Sequence, residues 1–499
     1  MIRQTFTPGR KRSESVVALV SLCPLLEEFS DSVGLSMERF CETLPFGWLV
    51  GYGGALRMIG VRTVLFYVSA RVNEPVRFTH EPTGTTICLL PAPGLYRGLT
   101  RTLTSHPGPW SVSNAFGRAF RGVRHIFFMK LAPAWPWLTT PIVALAREMR
   151  REGCDVVLSE GYETARFQLC VLLSKLMRLP VFATCQGEYA DPLATRFERL
   201  VHRLTLRLCT GFIIAPQAEV QRVRSRYGVP PAKMARIFNP IDLAVWGPMD
   251  RDEARASLGI PGDAQVVVRH GRVELYDKGL DVLLDAWDLI CRERPERNLR
   301  LLLIGMGSDA DRLKRMIAER QPRGLQWVAN HVTDRTAIRR YLSAGDVYAF
   351  PSRVEGLPVS PLEAMACGLP VVATDASGVP DIFEDGPSSG GIVVPRGDAA
   401  AFALALGQLL DDRAWAQELG ERARRRIETC FSLEAVGEQL GAFMFGQTRP
   451  FAAHSISRSP QPGRSQHTVA LSVGDPQMAN PDRNVAQSRS GPRDVDHGE

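Results

Sequence analysis

The sequence predicts an α/β protein made of two Rossmann-like parallel-sheet domains that face a central cleft. Three observations lead to this. At 499 residues the chain exceeds what one hydrophobic core organises, so two domains of about 200 residues each are expected. Short apolar, β-branched runs alternate with helix-length patterns through most of its length, which is the signature of parallel sheets. The segment from Asn239-Pro-Ile-Asp242 to Pro261-Gly262 has the proline, glycine and charge content of a connection between two such units.

In the first half, strands are expected at 16–22, 63–68, 155–159, 181–183 and 212–215. The first of these follows Arg10, Lys11 and Arg12 and could imitate a signal peptide. However, Pro24 leads into Leu25-Leu26-Glu27-Glu28 without a small-residue cleavage site, so a buried strand is the better reading. The second half is cleaner, with strands expected at 266–269, 299–304, 325–328, 347–350, 371–373 and 391–394, each separated by a helix-length segment. The domains are thus 1–238 and 239–430. From about 447 the chain is rich in Ser, Pro, Arg, Gln and Asn with almost no apolar periodicity, and 447–499 is expected to be disordered. The longest apolar stretch, 47–70, carries Arg57 and Arg62, which argues against a membrane span. The ten cysteines form no Cys-x-x-Cys pair and no zinc spacing with histidine, so a reduced, cytoplasmic setting is expected.

In an open parallel sheet, ligands sit beyond the carboxyl ends of the strands. Three such ends in the second half carry suggestive residues. After 266–269, Arg272 and Lys278 flank a strand-to-helix loop, and both can reach a diphosphate placed there. After 299–304, Gly305-Met-Gly307 is a turn that lets backbone approach a ligand closely. Ser308-Asp-Ala-Asp311 then reads as an N-cap with acids in a first helical turn, rather than as an Asp-x-Asp metal motif. After 347–350, Glu355 lies in the loop, Pro358 suits a first helical turn, and Gly368 with Pro370 ends the helix. Glu363 lies on that helix with its side chain leaning back toward the N-terminus, where the amides near Leu357 and Val359 are free to meet an anion. Taken alone, two glutamates at this spacing are weak evidence, and a solvated loop acid with a helix-surface acid is the bland alternative.

The ordered set Gly-Arg…Lys-Gly-Leu-Asp, Leu-Ile-Gly-Met-Gly and Pro-Ser…Glu-Gly-Leu-Pro…Leu-Glu-Ala-Met-Ala-Cys-Gly-Leu-Pro-Val-Val-Ala-Thr resembles retaining GT-B glycosyltransferases of the glycosyltransferase 4 family, closely over 239–440 and in outline before that. The resemblance implies that Arg272 and Lys278 hold the diphosphate of a nucleotide-sugar donor and stabilise the departing nucleoside diphosphate. It also implies that Glu363 accepts hydrogen bonds from the ribose hydroxyls, that Glu355 contacts the donor sugar, and that Gly305, Gly307, Gly356, Leu357 and Val359 line the donor site. Two cations can neutralise a leaving diphosphate without a metal, so neither a metal nor a cofactor is expected beyond the donor substrate itself. Gly378-Val-Pro-Asp381 resembles the family's Gly-x-Pro-Glu with a shorter acid, and 431–446 resembles the final helix that crosses back to the first domain.

The first half, the acceptor domain by resemblance, says less. The loop at 24–37 lacks the family's paired glycines, and Gly53-Gly54 falls inside a helical pattern as a packing feature. Gln186 and Glu188 sit at a strand end where relatives often carry histidine; sugar contact and satisfied loop residue both remain open. Between Pro82 and Arg147 there is no acid, while Phe116, Phe120, Val123 and Phe127 share a helical stripe that Arg118, Arg121 and Arg124 avoid. Across 97–137 this pattern fits an interfacial helix on an anionic membrane, and equally a core-facing stripe with a basic solvated face. A net charge of +7 with no recognised module argues against nucleic acid. The expected function is transfer of a sugar from a nucleotide donor to a glycan or lipid-linked acceptor, with retention, in polysaccharide or glycolipid biosynthesis. A GT-B epimerase or phosphorylase, and a catalytically silent sugar-nucleotide-binding partner of an assembly complex, are the alternatives.

Overall fold

The computed structural model describes residues 14–21, 23, 25–27, 30, 36–43, 48–94, 139–185, 196–332 and 334–446. The first sheet comprises β1 Val16–Val20, β2 Arg62–Ser69, β3 Val76–Thr79, β4 Thr86–Pro91, β5 Val156–Glu160, β6 Val181–Cys185, β7 Gly211–Ile214 and β8 Met234–Ala235. Their order is β3-β4-β2-β1-β5-β6-β7-β8, parallel except for β3, which runs antiparallel to β4 at the edge. The second sheet comprises β9 Gln265–His270, β10 Leu299–Ile304, β11 Leu325–Val328, β12 Val347–Phe350, β13 Val371–Thr374 and β14 Gly391–Val394. It is wholly parallel, in the order β11-β10-β9-β12-β13-β14. Two parallel-sheet α/β domains are what the sequence predicts.

Strands buried on both faces need continuous apolar side chains. Accordingly β1 and β12 are buried at every residue, and Val266, Val267 and Val268 of β9 are inaccessible. Helix starts follow from side-chain caps: Asp334, Asp398, Asp412 and Ser432 each accept a first-turn amide of the helix that follows. In both sheets the order reverses direction, between β1 and β5 and between β9 and β12, and this is where an open α/β sheet leaves a crevice at its carboxyl edge.

Three strands were not legible in the sequence. β3 is half-exposed and carries Arg77, β8 has two residues, and β4 is a short run ending in proline. The connection expected over 239–262 is also shorter in the structure, because Ile241, Trp246, Ala254 and Ile260 are already buried in the second domain's core. The chain crosses between the domains at 239–241 and returns at 431–432, where Ile241 N–H donates to Phe431 O at 2.6 Å. The helix Leu433–Phe445 then packs on the helix Trp48–Met58, with Gly437 seated against the carbonyl of Ala55. Gly53 and Gly54 lie in that second helix against Thr85, Thr83 and Leu433, which is a packing role.

None of the ten cysteines is joined in a disulfide. Burial pushes the thiols of Cys154, Cys170 and Cys209 up to about 12, which keeps them protonated and unreactive. Among the described residues no helix is long and apolar enough to cross a membrane.

Candidate functional site

The β9 loop is held from beneath. Arg269 is buried, and its guanidinium donates to the carbonyls of Gly271 at 3.0 Å and Arg272 at 2.9 Å. Burial lowers its pKa against the pull of Tyr348 and Glu355, yet it fixes the backbone that carries Arg272. The Arg272 side chain is exposed and meets Glu274 at 2.9 Å.

The β10 loop lies against the β9 loop. Gly305 has φ +134°, and a Cβ there would collide with the carbonyl of Gly271; Gly307 is pressed against Val273 in the same way. The close approach anticipated for these two glycines is therefore to the neighbouring loop. Ser308 is not the N-cap of the helix Ala310–Arg320, a position Asp309 takes without capping an amide by its side chain. Asp309 Oδ2 instead accepts from Leu275 N–H at 2.8 Å, which ties the two loops together.

The β12 loop completes the edge. Its Arg353 N–H donates to Asp277 O at 2.8 Å, and its guanidinium grips Asp281 through two bonds of 2.7 and 2.9 Å. Across this seam Lys278 Nζ lies 2.8 Å from Glu355 Oε1, with both side chains nearly buried. Gly356 O abuts Gly378 of the β13 loop, and Leu357 O accepts from Asn239 Nδ2 at 3.3 Å. The helix expected from Pro358 begins later, at Ser360–Ala366, with Val359 at its N-cap and Pro361 in its first turn. The amides of Leu357 and Val359 thus lie ahead of a seven-residue helix, at an edge whose cations Arg272 and Lys278 each meet a glutamate, Glu274 and Glu355. Glu363 falls in the first turn, buried, with Oε2 2.8 Å from His270 Nε2. Among the described residues its Oε1 takes no hydrogen bond. Nothing local in the sequence marks His270, which stands just past the strand expected at 266–269.

Asp381 has a different role from its neighbours in the motif. It accepts from Gln217 N–H at 3.0 Å and from Arg236 Nη2 at 2.7 Å, both in the first domain. Burial raises its pKa although both partners oppose that. Because Gln217 follows β7 and Asp381 follows β13, the carboxyl edges of the two sheets face each other.

On the first-domain side, Ser21 Oγ donates to Glu160 at 2.7 Å, and buried Arg166 donates to Ser21 O at 2.8 Å, at the β1–β5 reversal. Nearby, Arg222 binds Glu163 at 2.9 Å and Glu219 at 2.6 Å, with the hydroxyls of Tyr162 and Tyr227 joining the same carboxylates. Glu27, from the expected acceptor loop, is buried and accepts from Ala70 N–H at 2.7 Å. Gln186, Glu188, most of 24–37, the basic segment 97–137 and the tail 447–499 lie outside the described residues. A cavity of about 520 Å³ opens at the opposite, amino edge of the second sheet, lined by Asp263, Gln265, Arg297 and Asp346. That is the edge where a parallel sheet does not bind its ligand.

Two facing Rossmann-like domains with a cationic and acidic seam at the second switch point define a GT-B protein. The family model "Glycosyl transferases group 1" matches residues 250–426, and "Glycosyltransferase Family 4" matches 102–245. Between them the two models match most of both halves, so the chain is similar to glycosyltransferase 4 proteins in each. It is 33% identical over 225 residues to a D-inositol 3-phosphate glycosyltransferase of Kineococcus radiotolerans, covering 42% of this chain and 51% of the relative. The chain thus spans about half the length of the curated relatives it matches. Sucrose-phosphate synthase from Thermosynechococcus elongatus superposes with a TM-score of 0.58 at 21% identity, over 86% of this chain and 98% of that one. Anabaena HepE in complex with UDP gives 0.59 at 16%, over 86% and 99%. These structural likenesses concern the fold.

Proposed function

We propose that the protein is a retaining glycosyltransferase that moves a sugar from a nucleotide diphosphate donor to a glycan or lipid-linked acceptor in cell-surface polysaccharide or glycolipid assembly. The observation that carries this reading is the Lys278–Glu355 contact at the β9–β12 switch point, where a leaving-group cation meets a sugar-binding acid. Arg272 and Lys278 hold the diphosphate, Glu355 meets the donor sugar, and Glu363 meets the ribose. Gly305, Gly307, Gly356, Leu357 and Val359 line the site. As the bond between anomeric carbon and diphosphate breaks, its electron pair leaves with the phosphate oxygen, and the growing charge falls beside Lys278 and Arg272 without a metal. An acceptor hydroxyl oxygen forms the new bond on the same face of the sugar, and its proton passes to the departing diphosphate oxygen. The UDP complex of HepE favours a uridine nucleotide as the first probe.

Product analysis tests this. Incubation with UDP-, GDP- and ADP-sugars and candidate acceptors should release nucleoside diphosphate and transfer the sugar with its anomeric configuration kept, as read by NMR. An isomerised sugar nucleotide would instead identify an epimerase, a sugar phosphate a phosphorylase, and binding without turnover the silent partner of an assembly complex.

Attachment to an anionic membrane is a second part of the proposal, favoured by the helix Arg196–Leu208. Its outer stripe exposes Leu200 and Leu204 between Arg199, Arg203 and Arg207, and the helix Ala165–Met177 beside it exposes Leu172, Lys175 and Leu176. Exposed leucines between exposed cations suit a lipid interface.

A further inference from the structure

His270 is a buried titratable group in contact with the candidate site that the proposed chemistry leaves without a task. It ends β9, where it pairs with Ile304 of β10, and its ring reaches across to the helix that follows β12. Nε2 lies 2.8 Å from Glu363 Oε2, and both residues are over nine-tenths buried. The ring is held in place from the side by Tyr348 of β12, whose ring meets it edge-on at 5.4 Å and whose hydroxyl donates to His270 O at 3.2 Å. Its Nδ1 is buried with no hydrogen-bond partner among the described residues.

The tautomer follows from these contacts. A proton on Nδ1 would bury an unpaired donor and turn the Nε2 lone pair toward a carboxylate oxygen, whereas a proton on Nε2 makes a charge-assisted bond and leaves only an acceptor unpaired. The imidazole is therefore a fixed donor to one oxygen of Glu363. Arg335 also feels the carboxylate of Glu363 electrostatically, from the helix Arg335–Ser343. A glutamate side chain turns about three bonds, so a carboxylate that must meet a ribose diol gains from being held before the ligand arrives.

We propose that His270 is a positioning residue: its Nε2–H holds Glu363 Oε2, orients the carboxylate and leaves Oε1 to the ribose hydroxyls of the donor nucleotide. This rests on the reading of Glu363 as the ribose acceptor, and the two are separable by experiment.

The test is calorimetric titration with whichever of UDP, GDP and ADP binds tightest, alongside its 2′-deoxy and 3′-deoxy forms. The proteins are the wild type, Glu363→Ala, His270→Leu, His270→Asn, whose shorter amide stops short of Glu363, and His270→Gln, whose amide nitrogen approximates Nε2. The wild type should prefer the ribose form by about tenfold or more, as expected for hydrogen bonds to a charged group. His270→Leu and His270→Asn should cut that preference several-fold while deoxy affinity stays within about twofold, and His270→Gln should restore much of it. Having two donor-deleting variants keeps the outcome readable should one misfold. If Glu363→Ala abolishes the preference but both His270 variants retain it, the positioning role is overturned and the ribose reading survives. If the His270 variants weaken ribose and deoxy forms equally, His270 is structural only. If Glu363→Ala keeps the preference, or no nucleotide binds, both readings are overturned.

Discussion

The ammonium of Lys278 and the carboxylate of Glu355 stand 2.8 Å apart across the seam between the β9 and β12 loops. Two residues with separate tasks in the proposed reaction therefore neutralise each other before any donor is bound. Glu355→Gln should free the Lys278 charge, so nucleoside diphosphate should bind a few-fold tighter while turnover falls at least about tenfold, because the acid at the sugar end is lost. Calorimetry and a turnover assay on one preparation check both halves. Turnover equal to the wild type would remove Glu355 from the reacting end.

Asp381 is expected to act on stability rather than chemistry. Asp381→Ala leaves Gln217 N–H without its acceptor and the part-buried Arg236 with only the carboxylate of Glu384, at 3.6 Å, and should cost about 1–3 kcal/mol in denaturant unfolding. Asp381→Glu, the residue in the family's motif, should recover part of this if the longer side chain still bridges the domains. An unchanged midpoint in Asp381→Ala would mean that the bridge contributes nothing in solution.

His202 supplies a pH dependence. It is fully buried beside Tyr227, and neither ring nitrogen has a hydrogen-bond partner among the described residues. Burial drives its pKa down to about 4, with Arg222 and Arg226 adding to the shift and Glu163 opposing it. The unfolded chain binds this proton near pH 6.5 and the folded chain only near 4, so the stabilisation is intact above pH 6.5 and is lost as pH falls through that window. Between pH 7 and 5 the loss should be about 2 kcal/mol. His202→Leu should flatten the melting-temperature profile over this range, and an equally steep profile would assign the acid sensitivity elsewhere.

Much of the second domain was legible because its strands are short apolar runs between complete helical periods, and β10, β11, β12 and β14 fall where the pattern puts them. Lys278, Glu355 and Glu363 were legible as members of an ordered motif set. What joins them was not. The His270–Glu363 and Asp309–Leu275 bonds link residues 93 and 34 positions apart, and local periodicity carries no information about such pairs. Gly305 and Gly307 read as a close approach to a ligand, whereas the backbone they approach is that of Gly271 and Val273, and one glycine pattern serves either. In the first domain, β3 escaped notice because a half-exposed edge strand lacks the uniform burial that marks a parallel core.

Membrane attachment, if it follows the basic and apolar faces, should depend on charge and on salt. Reversing Arg199, Arg203 and Arg207 to glutamate should abolish co-sedimentation with anionic liposomes at low salt, since each cation near such a surface contributes about 1 kcal/mol. Reversing Arg118, Arg121 and Arg124 tests the segment 97–137 separately. Equal recovery with neutral and anionic lipids, or none with either, would remove this part of the proposal.

The central claim is that the carboxyl edge of the second sheet binds a nucleoside diphosphate through Lys278 and Arg272. Its most direct test is titration of the wild type and Lys278→Ala with UDP, GDP and ADP, followed by kinetics with the matching sugar nucleotide. One nucleotide should bind the wild type, and Lys278→Ala should weaken it by about tenfold or more, the range for a lost charge-assisted contact. It should also lower kcat, because the diphosphate charge grows in the transition state. Equal nucleotide affinity in the two proteins, or no binding by the wild type, would contradict the account.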